Sequence, residues 1–248
     1  MTKIYQHEFR VRSYEIGFNG IAKTSSILNY FQELASTHAQ LLGFSVEQLF
    51  QKGLTWVLSR NHVKIIRAPK FGEKIIGQTW PSGRKGRFAL RDYEMFDQAG
   101  SLIVQGTSSW MMIDLKTKKP IRVADLLKDT SIVEKRALDD DFAVLPELTQ
   151  PDFDNSFSVR ISDLDINRHV NNVIYIEWAL DTLPRDLIFS AYPVEIEISY
   201  RSAAHWGDKI VSKAQELDNQ NKIFIHQLIR KDDNKELALL RTSWKNLS

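Results

Sequence analysis

The chain contains the same plan twice, and that repetition restricts its fold more than any other feature. FGEKII at 71–76 returns as WGDKIV at 206–211, and Ser109-Trp110 returns as Ser243-Trp244 near the end of a later apolar run. The first half reads as a strand near 4–11, then an amphipathic helix from Ser25 to Leu42. Ile27, Leu28, Phe31, Leu34, Ala35, Leu41 and Leu42 mark its apolar stripe, and Gly43 is a natural stop. A short helix from Ser45 to Gln51 follows, capped by Ser45. Strand patterns then run near 55–67, 73–81, 86–96 and 101–113, with DQAG at 97–100 as a hairpin turn. The second half offers a strand near 155–160 and a helix from Asn171 to Leu183, ended before Pro184. Its strands follow near 193–201, 208–217, 222–231 and 236–246, with KDDNK at 231–235 as the matching turn.

Between the halves lie a short helix, Val123 to Lys128, and a connector carrying Asp139-Asp140-Asp141. The expected organisation is therefore a first domain at 1–128, a connector at 129–152 and a second domain at 153–248. One long helix followed by antiparallel strands, repeated, is an α+β arrangement in which a sheet wraps a helix. Pairing of the two sheets into one layer would make a fused pseudo-dimer.

Chemistry concentrates in DLDINRHVNNVIYIEW, residues 163–178. Asp165, Asn167 and His169 occupy alternate positions, which on an extended segment would point to one side. Asn171 and Asn172 are good N-cap types, so unpaired N–H groups and the positive end of a helix dipole should lie near the three. A carboxylate, an amide and an imidazole beside a helix start are parts suited to acyl-transfer hydrolysis. The bland alternative is a polar turn that only caps a helix. An internal comparison weighs against it: aligning Asn171-Asn172 with Ser25-Ser26, an offset of 146, sets the three against Asn19, Ile21 and Lys23. A cap needed by both copies should appear in both.

The same stretch resembles the acyl-acyl carrier protein (acyl-ACP) thioesterases of plants and bacteria, which carry DxNxHxNN followed by a Tyr-Ile pair, here Tyr175-Ile176. Ser82-Gly83-Arg84-Lys85-Gly86 and the later Arg91-Asp92 are similar to a second family segment. The resemblance implies a double hotdog fold, hydrolysis of fatty acyl thioesters and an acyl carrier protein partner. It also implies an acyl-chain slot in the first half, where Phe31, Leu34 and Trp56 are the lining candidates. One position departs from the plant pattern. A Tyr-Arg-Arg-Glu-Cys segment is here Tyr200-Arg201-Ser202-Ala203-Ala204, so both the Glu and the Cys positions are alanine. Glu177, Glu195 or Glu197 would have to supply any second carboxylate.

Composition narrows the alternatives. Cysteine is absent, which excludes disulfides, thiolate metal sites and a Cys nucleophile, and fits a reducing cytoplasm. No apolar run is long enough to cross a bilayer, and MTKIYQHEFR lacks the apolar block of a signal peptide. No G-x-S-x-G elbow or H-E-x-x-H pair occurs. GEKIIGQT at 72–79 imitates a phosphate loop but has Gln78 where the essential Lys belongs. His205 and His226 read as structural. Net charge is only +2, yet residues 1–128 hold 19 Lys+Arg against 10 Asp+Glu, while the remainder holds 14 against 21. Such a split can steer an acidic partner. Scattered basic residues argue against a nucleic acid, whereas Arg84, Lys85 and Arg87, expected in an exposed turn, are candidates to dock the carrier protein. Oligomeric state, including a homodimer, is left open.

The expected mechanism needs no metal or organic cofactor. Asp165 activates water or attacks the carbonyl, Asn167 and helix N–H groups hold the oxyanion, and His169 moves the proton. The rival readings are a coenzyme A thioesterase, a hydroxyacyl dehydratase and a non-catalytic acyl-binding protein.

Overall fold

The computed structural model describes residues 3–127 and 130–247 and divides into two compact units, 1–141 and 142–248. The first unit holds β1 (Tyr5–Arg10), α1 (Thr24–Leu41), α2 (Val46–Phe50), β2 (Leu54–Ile65), β3 (Lys74–Lys85), β4 (Phe88–Phe96), β5 (Leu102–Asp114) and α3 (Val123–Leu126). The second holds β6 (Phe153–Ser158), α4 (Asn172–Leu180), α5 (Arg185–Ser190), β7 (Ala191–Tyr200), β8 (Lys209–Asp218), β9 (Ile223–Arg230) and β10 (Lys235–Asn246). The expected end of the connector helix at Lys128 lies outside the described residues.

Strand order is β1-β3-β4-β5-β2 in the first unit and β6-β8-β9-β10-β7 in the second, antiparallel throughout. The duplication extends to register. Arg10 pairs with Lys74 in one unit, and Ser158 pairs with Lys209 at the same point of the other. Even the Trp environments agree: the Trp110 indole donates to Ser108 at 2.8 Å, and the Trp244 indole to Thr242 at 3.0 Å.

Helix α1 forms where the apolar stripe runs, and it buries Ile27, Leu28, Tyr30, Phe31, Leu34 and Ala35. Two glycines let it approach the sheet. A Cβ at Gly77 would sit 2.8 Å from the Leu34 side chain, and one at Gly106 would sit 2.5 Å from the Phe31 ring. Phe31 also stacks on Tyr93, with ring centroids 4.3 Å apart. Any side chain at either glycine would lift the helix from the strands.

The connector packs on the first unit through a buried carboxylate. Asp92 Oδ1 accepts from Ser82 (2.9 Å) and Thr107 (2.6 Å), while its Oδ2 accepts from Arg136 Nε (3.0 Å) and the Ala137 N–H (2.7 Å). The indole of Trp80 donates to the Lys135 carbonyl, and Lys135 pairs with Glu94. In the acidic run, Asp140 meets His62 at 2.7 Å and Asp141 meets Lys85 at 3.3 Å. The Ser82 and Arg91-Asp92 segments are thus part of how residues 133–141 are held down.

Helix α4 is shorter than its apolar pattern predicts. It ends at Leu180 because the Thr182 hydroxyl donates to the Trp178 carbonyl at 2.7 Å, taking the acceptor that the next turn would use. The sequence pattern also missed α5, a short helix that starts immediately after Pro184.

Candidate active site

Residues 163–171 form a tight turn rather than the extended segment expected from alternation. Leu164 and Val170 make an isolated antiparallel bridge, and the chain reverses between them. The Asp165 N–H donates to the His169 carbonyl at 2.8 Å, and the Arg168 N–H to the Asp165 carbonyl at 3.0 Å, with Arg168 at φ 60°. Before the turn, Asp163 is buried and accepts from the Arg160 backbone and guanidinium. After it, the Asn171 N–H returns to the Asp163 carbonyl at 2.8 Å, fixing the approach to α4.

Asp165 ties the other two candidates together through their backbones, not their side chains. Asp165 Oδ1 accepts the backbone N–H of Asn167 at 2.8 Å and that of His169 at 3.2 Å. Among the described residues nothing bonds to its Oδ2. Asp165 is half-buried, whereas Asn167 and His169 are exposed. The helix start contributes less than expected. Asn171 Oδ1 takes the Val173 N–H at 3.1 Å, and the Asn171 carbonyl takes that of Ile174 at 3.0 Å, so two donors of the first turn are already used.

Two tyrosines tie this region to the sheet. The Tyr175 hydroxyl accepts from the Ala204 N–H at 2.8 Å and reaches the Ser202 carbonyl at 3.4 Å, and the Tyr200 hydroxyl donates to the Asn172 carbonyl at 3.1 Å. Burial pushes the Tyr175 phenol up to about 12 and raises that of Tyr200 as well, so both remain neutral struts. The Val170 N–H donates to the Ala204 carbonyl, which brings residues 203–206 beside the turn. There the rings of His169 and His205 meet edge to face, centroids 5.0 Å apart and planes at 72°. His205 is a residue that its sequence position alone left as structural. His226 does behave so: it is fully buried, bonds Thr242 at 2.9 Å, and burial depresses its pKa to about 3.

The structure also corrects the internal alignment. The first unit builds the same turn two residues away from the position inferred from the asparagine pair. Ile16 bridges Ala22, the Gly17 N–H donates to the Ile21 carbonyl, and the Gly20 N–H to the Gly17 carbonyl with Gly20 at φ 75°. The offset is therefore 148, as β1 and β6 also require. Asp165 corresponds to Gly17, Asn167 to Asn19 and His169 to Ile21. One amide is shared by both copies, and the carboxylate and imidazole belong to the second alone. Since Gly17 supports the same backbone turn without a carboxylate, the turn does not need Asp165.

The other candidates fall in different places. Phe31 and Leu34 are fully buried in the α1–sheet contact, and half-buried Trp56 donates its indole N–H to the Phe44 carbonyl at 3.0 Å. Arg84 and Lys85 are the last residues of β3, and only Gly86-Arg87 form the turn. Arg84 is half-buried, its guanidinium donating to the carbonyls of Leu127 and Thr130, so it is not the exposed cation expected. Lys85 and Arg87 are exposed. Glu197 is engaged by Arg241 at 2.8 Å.

Two helix-and-sheet units of this topology in tandem form a double hotdog. Residues 2–130 match the acyl-ACP thioesterase N-terminal domain and residues 147–246 match its C-terminal domain, so the chain belongs to the acyl-ACP thioesterase family. An oleoyl-acyl carrier protein thioesterase of Arabidopsis thaliana is 30% identical across 98% of this chain and 77% of its own length. A palmitoyl-acyl carrier protein thioesterase of Cuphea hookeriana is 26% identical, covering 98% of this chain, which spans only 62% of that relative. In three dimensions the chain is similar to an acyl-ACP thioesterase from Bacteroides thetaiotaomicron, with TM-score 0.88, 26% identity and 98% of each chain covered. A 12:0-ACP thioesterase from Umbellularia californica superposes at TM-score 0.89 over 100% of this chain and 99% of its own, at 22% identity.

Proposed function

We propose that this chain hydrolyses fatty acyl-ACP thioesters to free fatty acid and holo-ACP, with Asp165, Asn167 and His169 as the reacting set. The observation that carries the assignment is the pair of turns. Both units fold the same loop, and only the second places a carboxylate and an imidazole on it. With Oδ1 held by two N–H groups, Asp165 keeps Oδ2 for chemistry. That oxygen takes a proton from water as it adds to the thioester carbon, or adds itself to give an acyl anhydride that water then opens. The Asn167 amide donates to the carbonyl oxygen as negative charge develops there, a role in which each placed donor is worth about 3 kcal/mol. His169 delivers the proton to the departing sulfur. Thiols leave readily, so modest acid assistance suffices.

Purified protein with acyl-ACP, free thiol and free acid both measured, tests the reading. Asp165→Asn keeps an oxygen acceptor for the two N–H groups, so the turn should survive while turnover falls by roughly 10²-fold or more. His169→Ala should lose a comparable factor. Native rates in folded forms of both variants would reject the assignment. Release of thiol from acyl-coenzyme A at equal efficiency would instead support the coenzyme A reading.

The acyl chain is assigned to the first unit, where Trp56 lies at the edge of the core and Phe31 and Leu34 within it. Each methylene buried there contributes about 0.8 kcal/mol, enough to rank chain lengths. Lys85, which pairs at the surface with Asp141, and Arg87 are the exposed cations assigned to meet an acidic carrier. No helix among the described residues is long and apolar enough to cross a membrane, and the cysteine-free composition fits a cytoplasmic enzyme.

A further inference from the structure

We propose that His205 is a positioning residue for His169: its ring fixes the orientation of the His169 imidazole. The inference rests on the assignment of His169 above and adds a residue to it.

Three observations carry it. The two rings meet edge to face at 5.0 Å, a geometry that aromatic pairs favour and that restricts how either ring can turn. The His205 backbone is itself anchored: its N–H donates to Asp208 Oδ2 at 2.9 Å, and Asp208 is held by Arg230 at 3.2 Å. Finally, the pair exists in one copy only. The first unit has the same local frame, with the Lys70 N–H donating to Glu73 at 2.9 Å and Arg67 holding that carboxylate. There the residues at the two ring positions are Ile21 and Lys70, joined by an isolated bridge. A contact required only to close the loop onto the sheet would not need two imidazoles. The neighbouring segment, Ser202-Ala203-Ala204, offers no ionisable side chain, so His205 is the titratable group of this strand connection that touches His169.

The test uses the full-length enzyme with His205→Ala and His205→Phe, alongside His169→Ala. Acyl-ACP kcat and KM are measured separately for each variant. We expect His205→Ala to lower kcat about tenfold through loss of orientation, with KM within about twofold. His205→Phe keeps a ring in place and should recover most of kcat. Unchanged kcat in His205→Ala, or a His205→Phe variant that recovers none of the lost kcat, overturns the proposal. Loss of turnover in His169→Ala together with such a result leaves the site assignment standing and removes His205 alone. Native turnover in His169→Ala removes the assignment itself.

Discussion

Replacing Asp92 by Asn should damage the fold of the first unit far more than the chemistry. The carboxylate is fully buried and accepts four donors, two at each oxygen. In the Asp92→Asn variant one oxygen becomes an NH2 group, whichever way the amide turns. If it replaces Oδ2, the Arg136 guanidinium and the Ala137 N–H lose their acceptor and face a donor. If it replaces Oδ1, the Ser82 and Thr107 hydroxyls do. A stranded buried donor costs about 1–3 kcal/mol, and removing the charge that balances Arg136 adds to that. Breaking a buried pair on one side costs about 3–5 kcal/mol, which is a large part of the ~5–15 kcal/mol that stabilises a domain. Urea unfolding followed by tryptophan fluorescence should show a first-unit transition at clearly lower denaturant, because Trp80 packs beside this latch through Lys135. Under conditions where the variant is folded, turnover should stay within a few-fold of native. A loss below about 1 kcal/mol with an unchanged transition would refute the latch. Loss of turnover at full stability would mean that Asp92 acts in the reaction.

His226 supplies a pH prediction. Its pKa falls from an ordinary value near 6.5 to about 3 in the folded chain, so the unfolded state binds the extra proton and stability drops as pH falls below about 6.5. At pH 5 the cost is about 2 kcal/mol, and His226→Gln, which keeps a partner for Thr242, should flatten that part of the stability profile; equal profiles would reject the linkage. Gly106→Ala should destabilise the first unit by about 1–3 kcal/mol by pressing on Phe31, measured as a shift in urea midpoint, and an unshifted midpoint would count against the close helix approach. Trp56 variants should move the length distribution of released acids at little cost in stability, because Trp56 is half-buried, whereas truncating Phe31 or Leu34 should cost about 2–5 kcal/mol. Lys85→Glu with Arg87→Glu should lower kcat/KM on acyl-ACP several-fold at low salt and much less at high salt. Small acyl thioesters should be nearly unaffected, and equal losses on both would remove the docking role.

Much of this protein was legible in its sequence because periodicity and repetition are local signals. The apolar stripe of α1, the turns at 97–100 and 231–235, and the FGEKII/WGDKIV repeat specify elements over a few residues each. Together they determined two helix-and-sheet units, and the DxNxH stretch picked out the candidate reacting residues. Position along the chain could not determine how those residues are presented. Alternation suggested an extended row, but the hydrogen bonds of Asp165 with Asn167 and His169 close a turn. Matching asparagines to serines gave an offset of 146, while the shared backbone bonds of Gly17 and Asp165 set it at 148. Arg84 looked like a free cation until the carbonyls of Leu127 and Thr130 met it from more than forty residues away. His205 touches His169 from a distant part of the chain, because the Val170–Ala204 bond draws two loops together. Local chemistry is written in neighbouring residues. Which side chains share a site depends on contacts whose partners are distant in the chain, and only the packed sheet brings those partners together.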